Sequence, residues 1–525
     1  MLSLPLPVSV VGLTFLGLFV VYYVVSSIIS FVRLRHIPGP ALWAWTRIPL
    51  IRTHLKGDSY EKFGKLIEKY GSLVRIGPNY VMTSDPEIVR RLNASRSPYT
   101  KSNWYIASRF TPGIDNMISN RDDAYHDVLR RKAMPAYSGR ENPQLERDVD
   151  ETVLDLVRLI RDRYLTTDND QPVKMELARK AQFFTTDTIS LLAFKEKFND
   201  LKDDTDHFGY IEEVEMLYPN MFCTSVLPEI MEFFTASGLL ALLDPAKNPK
   251  FAFGKVMAMV KQKIDARLDT KGANKEAGDD MLGSFIKHGM TRQELDQEVI
   301  VQVLAGSDTT ATAIRSTMLC MMQNPRACQK LVQEIDEAVQ KGIISHKLDE
   351  VIKDSEARKL PYLQAVIKEG LRWHPPTGGL LAKQVPKEGD TIAGYFVPGG
   401  TIIGMSQYAL HHSHDLFGPD PLVFRPERWL HTSQGGDEPN WDKIKKMERN
   451  NDLIFGHGKY QCLGKSIAFL ELNKVFVELL RRFQFELVDP ERPWETRCYG
   501  IHLQRGIWVT VKPREARMKE DSARS

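Results

Sequence analysis

The chain lacks most of what would mark it as secreted, modular or nucleic-acid binding. Its 525 residues include five cysteines, Cys223, Cys320, Cys328, Cys462 and Cys498, none in a CxxC pair. An odd, scattered set argues against a disulfide framework and fits a reducing compartment. Lysine plus arginine exceed aspartate plus glutamate by only three, 70 against 67, with no block of like charge, so nucleic acid is not an expected partner. No internal repeat is evident, and the interior has no domain linker: the polar stretches Asp269–Asp280 and Ser433–Asn440 are short and read as surface loops. A Gly-rich nucleotide fingerprint between a strand and a helix is missing too, so any flavin or nicotinamide chemistry has to come from another protein.

Charge is also absent from residues 8–32, which are rich in Val, Leu, Ile and Phe. Twenty-five such residues make a helix of about 37 Å, enough for a hydrocarbon layer of roughly 30 Å. A cleaved leader would have a shorter apolar region behind positive charge and before a small-residue cleavage site; none of these is present. Arg33 and Arg35 follow the run and residues 1–7 hold no Lys or Arg, so the expectation is a single-pass anchor with the large domain in the cytosol. The division expected is a short lumenal 1–7, an anchor 8–32, a basic and proline-rich lead-in 33–57, a catalytic unit 58–515 and a polar tail 516–525. With that topology the sequon Asn93-Ala94-Ser95 stays unmodified.

The remainder reads as mainly α with minor β, in one domain built around a long helix. Ser59–Tyr70 has helical periodicity, and two alternating runs, Ser72–Ile76 and Tyr80–Thr83, flank a turn as a hairpin. A second hairpin is expected over Asp390–Ser406 around Pro398-Gly399-Gly400. Thr291 and Glu294 form a capping-box pattern that opens a helix running to Asn324, before Pro325. Ala305-Gly306-Ser307-Asp308-Thr309-Thr310 interrupts its apolar pattern with poor helix formers and a carboxylate, which suggests a site. Glu369 and Arg372 are three apart on a helix beginning near Pro361 and share a face.

The most informative stretch is Phe455-Gly456-His457-Gly458-Lys459-Tyr460-Gln461-Cys462-Leu463-Gly464. Glycines let the backbone turn tightly and approach a flat partner, and Cys462 precedes an apolar-periodic helix starting near Leu463, where the helix dipole favours an ionised sulfur. This run resembles the cysteine-ligand loop of the cytochrome P-450 family of haem-thiolate monooxygenases. Asp308-Thr309, Glu369/Arg372 and Phe424-Arg-Pro-Glu-Arg428-Trp429 are similar to that family's further motifs and stand in its order, so the resemblance spans nearly the whole chain. The anchor and the run Gly458–Gly464 look most like a fungal microsomal member akin to the pisatin demethylase group.

The resemblance implies that Cys462 is the axial ligand of a haem b iron, with Phe455, Gly456, Gly458 and Gly464 shaping the loop around it. It implies that Thr309 and Asp308 relay protons for dioxygen cleavage, Asp308 through a water that reaches bulk solvent. Glu369, Arg372 and Arg428 would brace the cysteine loop, and His126, Arg130 and Lys383 would meet the haem propionates. The family usually has a basic residue two before the cysteine; here that place holds Tyr460, and either Tyr460 or the neighbouring Lys459 would meet the propionate. The segments Trp104–Met117, Tyr210–Phe222, Val301–Ala305, Thr377–Leu381 and Tyr499–His502 would line a hydrophobic substrate pocket. His411, His412 and His414 look metal-like but correspond to a structural stretch.

The function expected is insertion of one atom of O2 into an apolar small molecule in fungal secondary metabolism, at the endoplasmic reticulum membrane. Electrons would come from an NADPH-dependent reductase carrying FAD and FMN, with cytochrome b5 as a further donor. Lys443, Lys445, Lys446 and Arg449, with Lys459 and Lys465, offer a basic surface for that partner. A haem-thiolate isomerase or dehydratase and a non-catalytic haem sensor are the rivals; neither needs the Asp308-Thr309 pair. The substrate and the carbon attacked are not legible in these residues.

Overall fold

The computed structural model describes residues 8–166, 171–238, 252–268, 278–430 and 441–514. The expected loop Ser433–Asn440, most of Asp269–Asp280, the first seven residues and the tail 516–525 lie outside the described residues.

The central helix is Arg292–Gln323, and both halves of its capping box are made: Glu294 N donates to Thr291 Oγ1 at 3.2 Å and Thr291 N to Glu294 Oε2 at 2.6 Å. It is not interrupted at residues 305–310. The hydroxyls there back-bond within the helix, Ser307 Oγ to Val303 O and Thr309 Oγ1 to Ala305 O, both at 2.7 Å, so the polar side chains are satisfied without breaking the backbone. Leu177–Phe194 packs along it and is itself buried at every position but Arg179. At the crossing, a Cβ on Gly306 would come within 2.7 Å of Ile189 Cγ1, so only glycine lets the two helices approach.

Sheet structure is minor. Leu73–Gly77 and Tyr80–Thr83 form the expected hairpin, with Leu73 opposite Thr83 and Gly77 opposite Tyr80. They belong to a five-stranded sheet continued by Ile402–Met405, Lys383–Gln384 and Thr100–Lys101. The second hairpin differs from expectation: Asp390–Ile392 pairs with Tyr395–Val397 across Ala393 and Gly394, both at positive φ, while Ile402–Met405 leaves to lie parallel to Tyr80–Thr83. A two-residue connection needs φ > 0 at both central positions, which Gly394 supplies at little cost. Pro398-Gly399-Gly400 is a separate turn that carries the chain between the two sheets.

Val8–Leu34 is a helix of 27 residues. Among the described residues, however, no helix is long and apolar enough to cross a membrane, so the anchor is not carried by the structure; most side chains of residues 8–19 lie outside the described set. The end of this helix is fastened to the domain: Phe31 stacks on Trp45 with centroids 3.9 Å apart, and the buried Arg75 donates to Ser30 O at 3.0 Å and Phe31 O at 3.3 Å.

Candidate active site

A cavity of about 350 Å³ lies between the central helix and the Cys462 loop. The loop closes through Cys462 N donating to Phe455 O at 2.7 Å. Gly458 is required there: its φ is 57°, and a Cβ would stand 2.2 Å from Asn93 O. The helix that follows starts at Lys465, two residues later than expected. Cys462 is accessible, but to the cavity it lines; enough protein surrounds it that burial pushes the thiol pKa up, against the backbone N–H of Gly464 and the Arg130 guanidinium. The expectation that the helix start alone favours the thiolate is therefore corrected. Burial outweighs it.

Facing this loop, the otherwise buried central helix turns Ala305, Gly306 and Thr309 to the cavity, with Ala305 exposed and the other two half-buried. Asp308 points elsewhere. It is 4% exposed, accepts from Gln182 Nε2 at 2.9 Å and Tyr210 OH at 3.4 Å, and takes a short bond from Tyr218 OH. Burial raises its pKa. It does not line the cavity and does not reach bulk solvent, so the two relay residues are adjacent in sequence but face different environments.

Of the residues expected to receive carboxylates, His126, Arg130 and Lys383 all line the cavity. Arg130 Nη1 donates to Gln461 O at 2.6 Å, holding the cysteine loop. Lys459 does not substitute for the missing base: its ammonium is spent on Ser97 O, Tyr99 O and Asp123 Oδ2 at 3.0, 2.9 and 2.6 Å. Tyr460 OH also bonds Asp123. The residue that sequence reasoning missed is Lys101. It pairs with Lys383 across adjacent antiparallel strands, both are nearly fully buried, and both ammonium groups lie over the Tyr460 ring, Lys383 at 3.3 Å and Lys101 at 5.2 Å. Neither makes an ion pair among the described residues, and Lys101 bonds only Met117 O, at 2.5 Å. Burial pushes Lys101 down to about 7 and Lys383 well below its ordinary value; His126 falls to about 3 through burial and the charges of Lys101 and Arg130.

Two buried lysines side by side with no anion are unfavourable in isolation. They fit a group that brings its own carboxylates, as haem does with its propionates, while Cys462 supplies the sulfur and Ile189, Val301, Ala305 and Leu381 supply apolar walls. Of the expected pocket segments, no residue of Tyr210–Phe222 or Tyr499–His502 lines this cavity; the first instead gives Tyr210 and Tyr218 to Asp308. Two acids also escaped notice. Glu298 lines the cavity with its carboxyl pushed up to about 8 by burial, and Glu471 lines it with Oε2 unpartnered and its pKa well above ordinary. Neither stands in a pattern that periodicity or spacing marks.

Glu369, Arg372 and Arg428 meet in one buried cluster. Glu369 and Arg372 are fully buried and joined by two bonds at 2.7 and 2.8 Å; Arg428 Nε, Trp429 Nε1 and Arg425 N also donate to Glu369, at 2.9, 2.8 and 2.9 Å. Arg372 Nη1 also donates to the backbone carbonyl of His411 at 2.8 Å. Asn451 Nδ2, at the start of the cysteine stretch, donates to Lys368 O at 3.1 Å and so ties it to the Glu369 helix. On the Trp441–Asn451 helix, Ile444 and Met447 face inward and Lys443, Lys445 and Lys446 are exposed. Arg449 and Lys465 are paired with Glu87 and Asp452, at 3.2 and 2.9 Å, and Lys459 with Asp123. Asn93 Nδ2 donates to Val89 O at 2.8 Å beside the cysteine loop.

Comparison with known proteins agrees with this geometry. A family model described as cytochrome P-450 matches residues 37–505. Cytochrome P-450 monooxygenase ABA1 of Pyricularia oryzae is 39% identical over 507 residues, covering 95% of this chain and 96% of that protein. Cytochrome P-450 monooxygenase aba1 of Botryotinia fuckeliana is 40% identical over 485 residues, 92% of each chain, and abl1 of Leptosphaeria maculans is 38% identical over 480 residues, 90% of this chain and 82% of that one.

Proposed function

The chain belongs to the cytochrome P-450 family and is an oxidoreductase, and on that premise we propose that it is a haem-dependent monooxygenase acting on an apolar small molecule. The observation that carries this is one cavity presenting the Cys462 sulfur, the Ala305–Thr309 turn and a set of buried bases without anions. Haem held there supplies dioxygen activation, with the thiolate donating electron density. The chain's own residues do the rest. Lys101, Lys383 and Arg130 receive the carboxylates, and deprotonation of Cys462 is favoured by the incoming positive centre. Ala305 and Gly306 leave room beside the helix, and Thr309 holds a hydroxyl proton at Oγ1, parked on Ala305 O, within the cavity.

Electrons come from a separate NADPH-dependent flavoprotein, since no nucleotide fingerprint is present, and cytochrome b5 is a second donor of the right kind. The helix Val8–Leu34 rests in the endoplasmic reticulum membrane with the domain cytosolic; its Leu18, Val21, Ile29 and Val32 side chains are exposed at 62, 60, 53 and 57%, which water disfavours. A place in secondary metabolism and a likeness to the pisatin demethylase group complete this reading. The isomerase and sensor readings would leave the Thr309 hydroxyl at the cavity without a task. The test is the carbon monoxide difference spectrum of the reduced protein, followed by reductase-dependent NADPH consumption. A thiolate-type band in the wild type that Cys462→Ala lacks is expected; a band unchanged by that substitution overturns the ligand, and a band without O2-linked turnover favours a rival.

A further inference from the structure

One buried acid in the cavity is left over by the reading above. Glu298 lies seven residues before Ala305 on the central helix, so the two share a face ~10 Å apart. Its side chain is 4% exposed and lines the cavity, to which Lys101, Met117, Val301 and Gln302 also contribute. Only one of its oxygens is used within the chain: Met117 N donates to Oε1 at 2.7 Å, and no bond to Oε2 is made among the described residues. Lys101 acts on it electrostatically without forming an ion pair, and Glu294 lies close enough to repel a second negative charge. Burial outweighs the lysine, so the carboxyl is pushed up to about 8 and is neutral at pH 7. With Oε1 accepting from the backbone, the proton sits on Oε2, which makes a donor on a stretch of wall shared with Val301 and Gln302. A ligand that supplies an acceptor to this donor is favoured over one that does not.

Resting on the monooxygenase reading, we infer that Glu298 anchors the substrate: an elongated apolar molecule carrying a neutral acceptor oxygen, a ketone, ether or hydroxyl, roughly 10–16 Å from the carbon that sits by Ala305 and Thr309. This favours substrates that carry such an oxygen over plain hydrocarbons. It also gives Glu298 a second task beyond pinning the Met117 segment.

The test uses the full-length, haem-loaded protein and a matched pair of linear probes, tridecane and 2-tridecanone, titrated by the shift of the haem absorption band. The wild type is expected to bind the ketone about five- to tenfold more tightly than the alkane, the worth of one hydrogen bond. Glu298→Gln keeps both the acceptor for Met117 N and a donor, and should retain the preference. Glu298→Leu should abolish it while changing alkane affinity less than about twofold. A wild type with no preference overturns the anchor without any variant being needed, and so does a preference that survives in Glu298→Leu. Loss of alkane binding in Glu298→Leu would assign Glu298 to loop support alone and likewise overturn it. Failure of the protein to give the thiolate-type carbon monoxide band is a different result: it defeats the monooxygenase reading, on which the anchor depends.

Discussion

Glu369, Arg372 and Arg428 are buried to about the same degree as Lys101, Lys383 and His126, yet the two groups are built on opposite plans. In the first, each charge is matched: the Glu369 carboxylate takes five donors and holds well below its usual range against its own burial, and the guanidiniums fill their remaining donors with carbonyls such as His411 O and Phe417 O. In the second, two ammonium groups and an imidazole face one another and a phenol ring with no carboxylate to bind them. A closed set of buried charges needs nothing from outside and can only lose by being changed. An open set is held in an unfavourable state by the fold, which is a reason to expect a ligand of opposite charge.

The sharpest way to break the comparison is to open the closed set. Glu369→Gln leaves two buried guanidiniums short of a counter-charge, and the loss should be about 3–5 kcal/mol of unfolding free energy with failure to load haem. Urea unfolding of the apo-protein with haem titration alongside checks it. A variant that unfolds like the wild type would show that the cluster is not a brace.

Removing a member of the open set should have the opposite sign. Lys383→Met replaces an unpaired buried cation with an apolar chain of similar length, so the haem-free protein should gain about 1–3 kcal/mol while haem affinity falls. Lys101→Met should gain less, because it leaves Met117 O without its donor. The pH dependence follows from the same depression. Lys101 binds its proton with a pKa of about 7 in the folded chain against an ordinary 10.5, so between those values the unfolded state carries more protons and apo-protein stability rises with pH. Below about 7 both states are protonated and this contribution is flat. Lys101→Met should remove its share of the rise and leave that of Lys383, whose proton affinity burial depresses in the same direction; a rise of undiminished size would mean that Lys101 does not contribute, and equal destabilisation of apo and loaded forms by Lys383→Met would mean that the open set is structural.

How much of this could be read from the residues depends on how local each feature is. The Cys462 loop, the capping box at Thr291 and the Glu369/Arg372 pair are set by spacings of a few residues, and all three are where the pattern places them. Lys101 and Lys383 are 282 apart and meet only because two short strands add to the edge of a sheet; no pattern in a two-residue strand could announce that. Asp308 shows a different limit. Its neighbour Thr309 faces the cavity, but one step along a helix turns the side chain by about 100°, and which way it then points depends on whether a partner waits there. Tyr210 and Tyr218, two turns apart on another helix, do wait there, and nothing within the acid-threonine motif itself encodes them. Lys459 failed as a substitute base for a similar reason: Asp123 and two carbonyls, none near it in sequence, had already taken its hydrogens.

The smallest effect on stability should come from charges that belong to neither set. Lys445 and Lys446 stand on the outer face of the Trp441–Asn451 helix, whose inner face buries Ile444 and Met447 and whose end leads into the Cys462 stretch. They make no ion pair among the described residues, unlike Arg449, Lys459 and Lys465 around them. Exposed charges of this kind contribute within about 0.5 kcal/mol to folding, so Lys445→Glu with Lys446→Glu should leave unfolding and the carbon monoxide spectrum unchanged. What they alter is the field met by an acidic flavin domain approaching the sulfur side, and that acts on the rate of encounter. Reductase-driven turnover should therefore fall about tenfold at low ionic strength and recover part of the loss as salt screens both proteins, while turnover driven by added peroxide stays level. Equal loss in the two assays would point to damage at the cysteine loop, and no loss in either would move the docking surface elsewhere on the molecule.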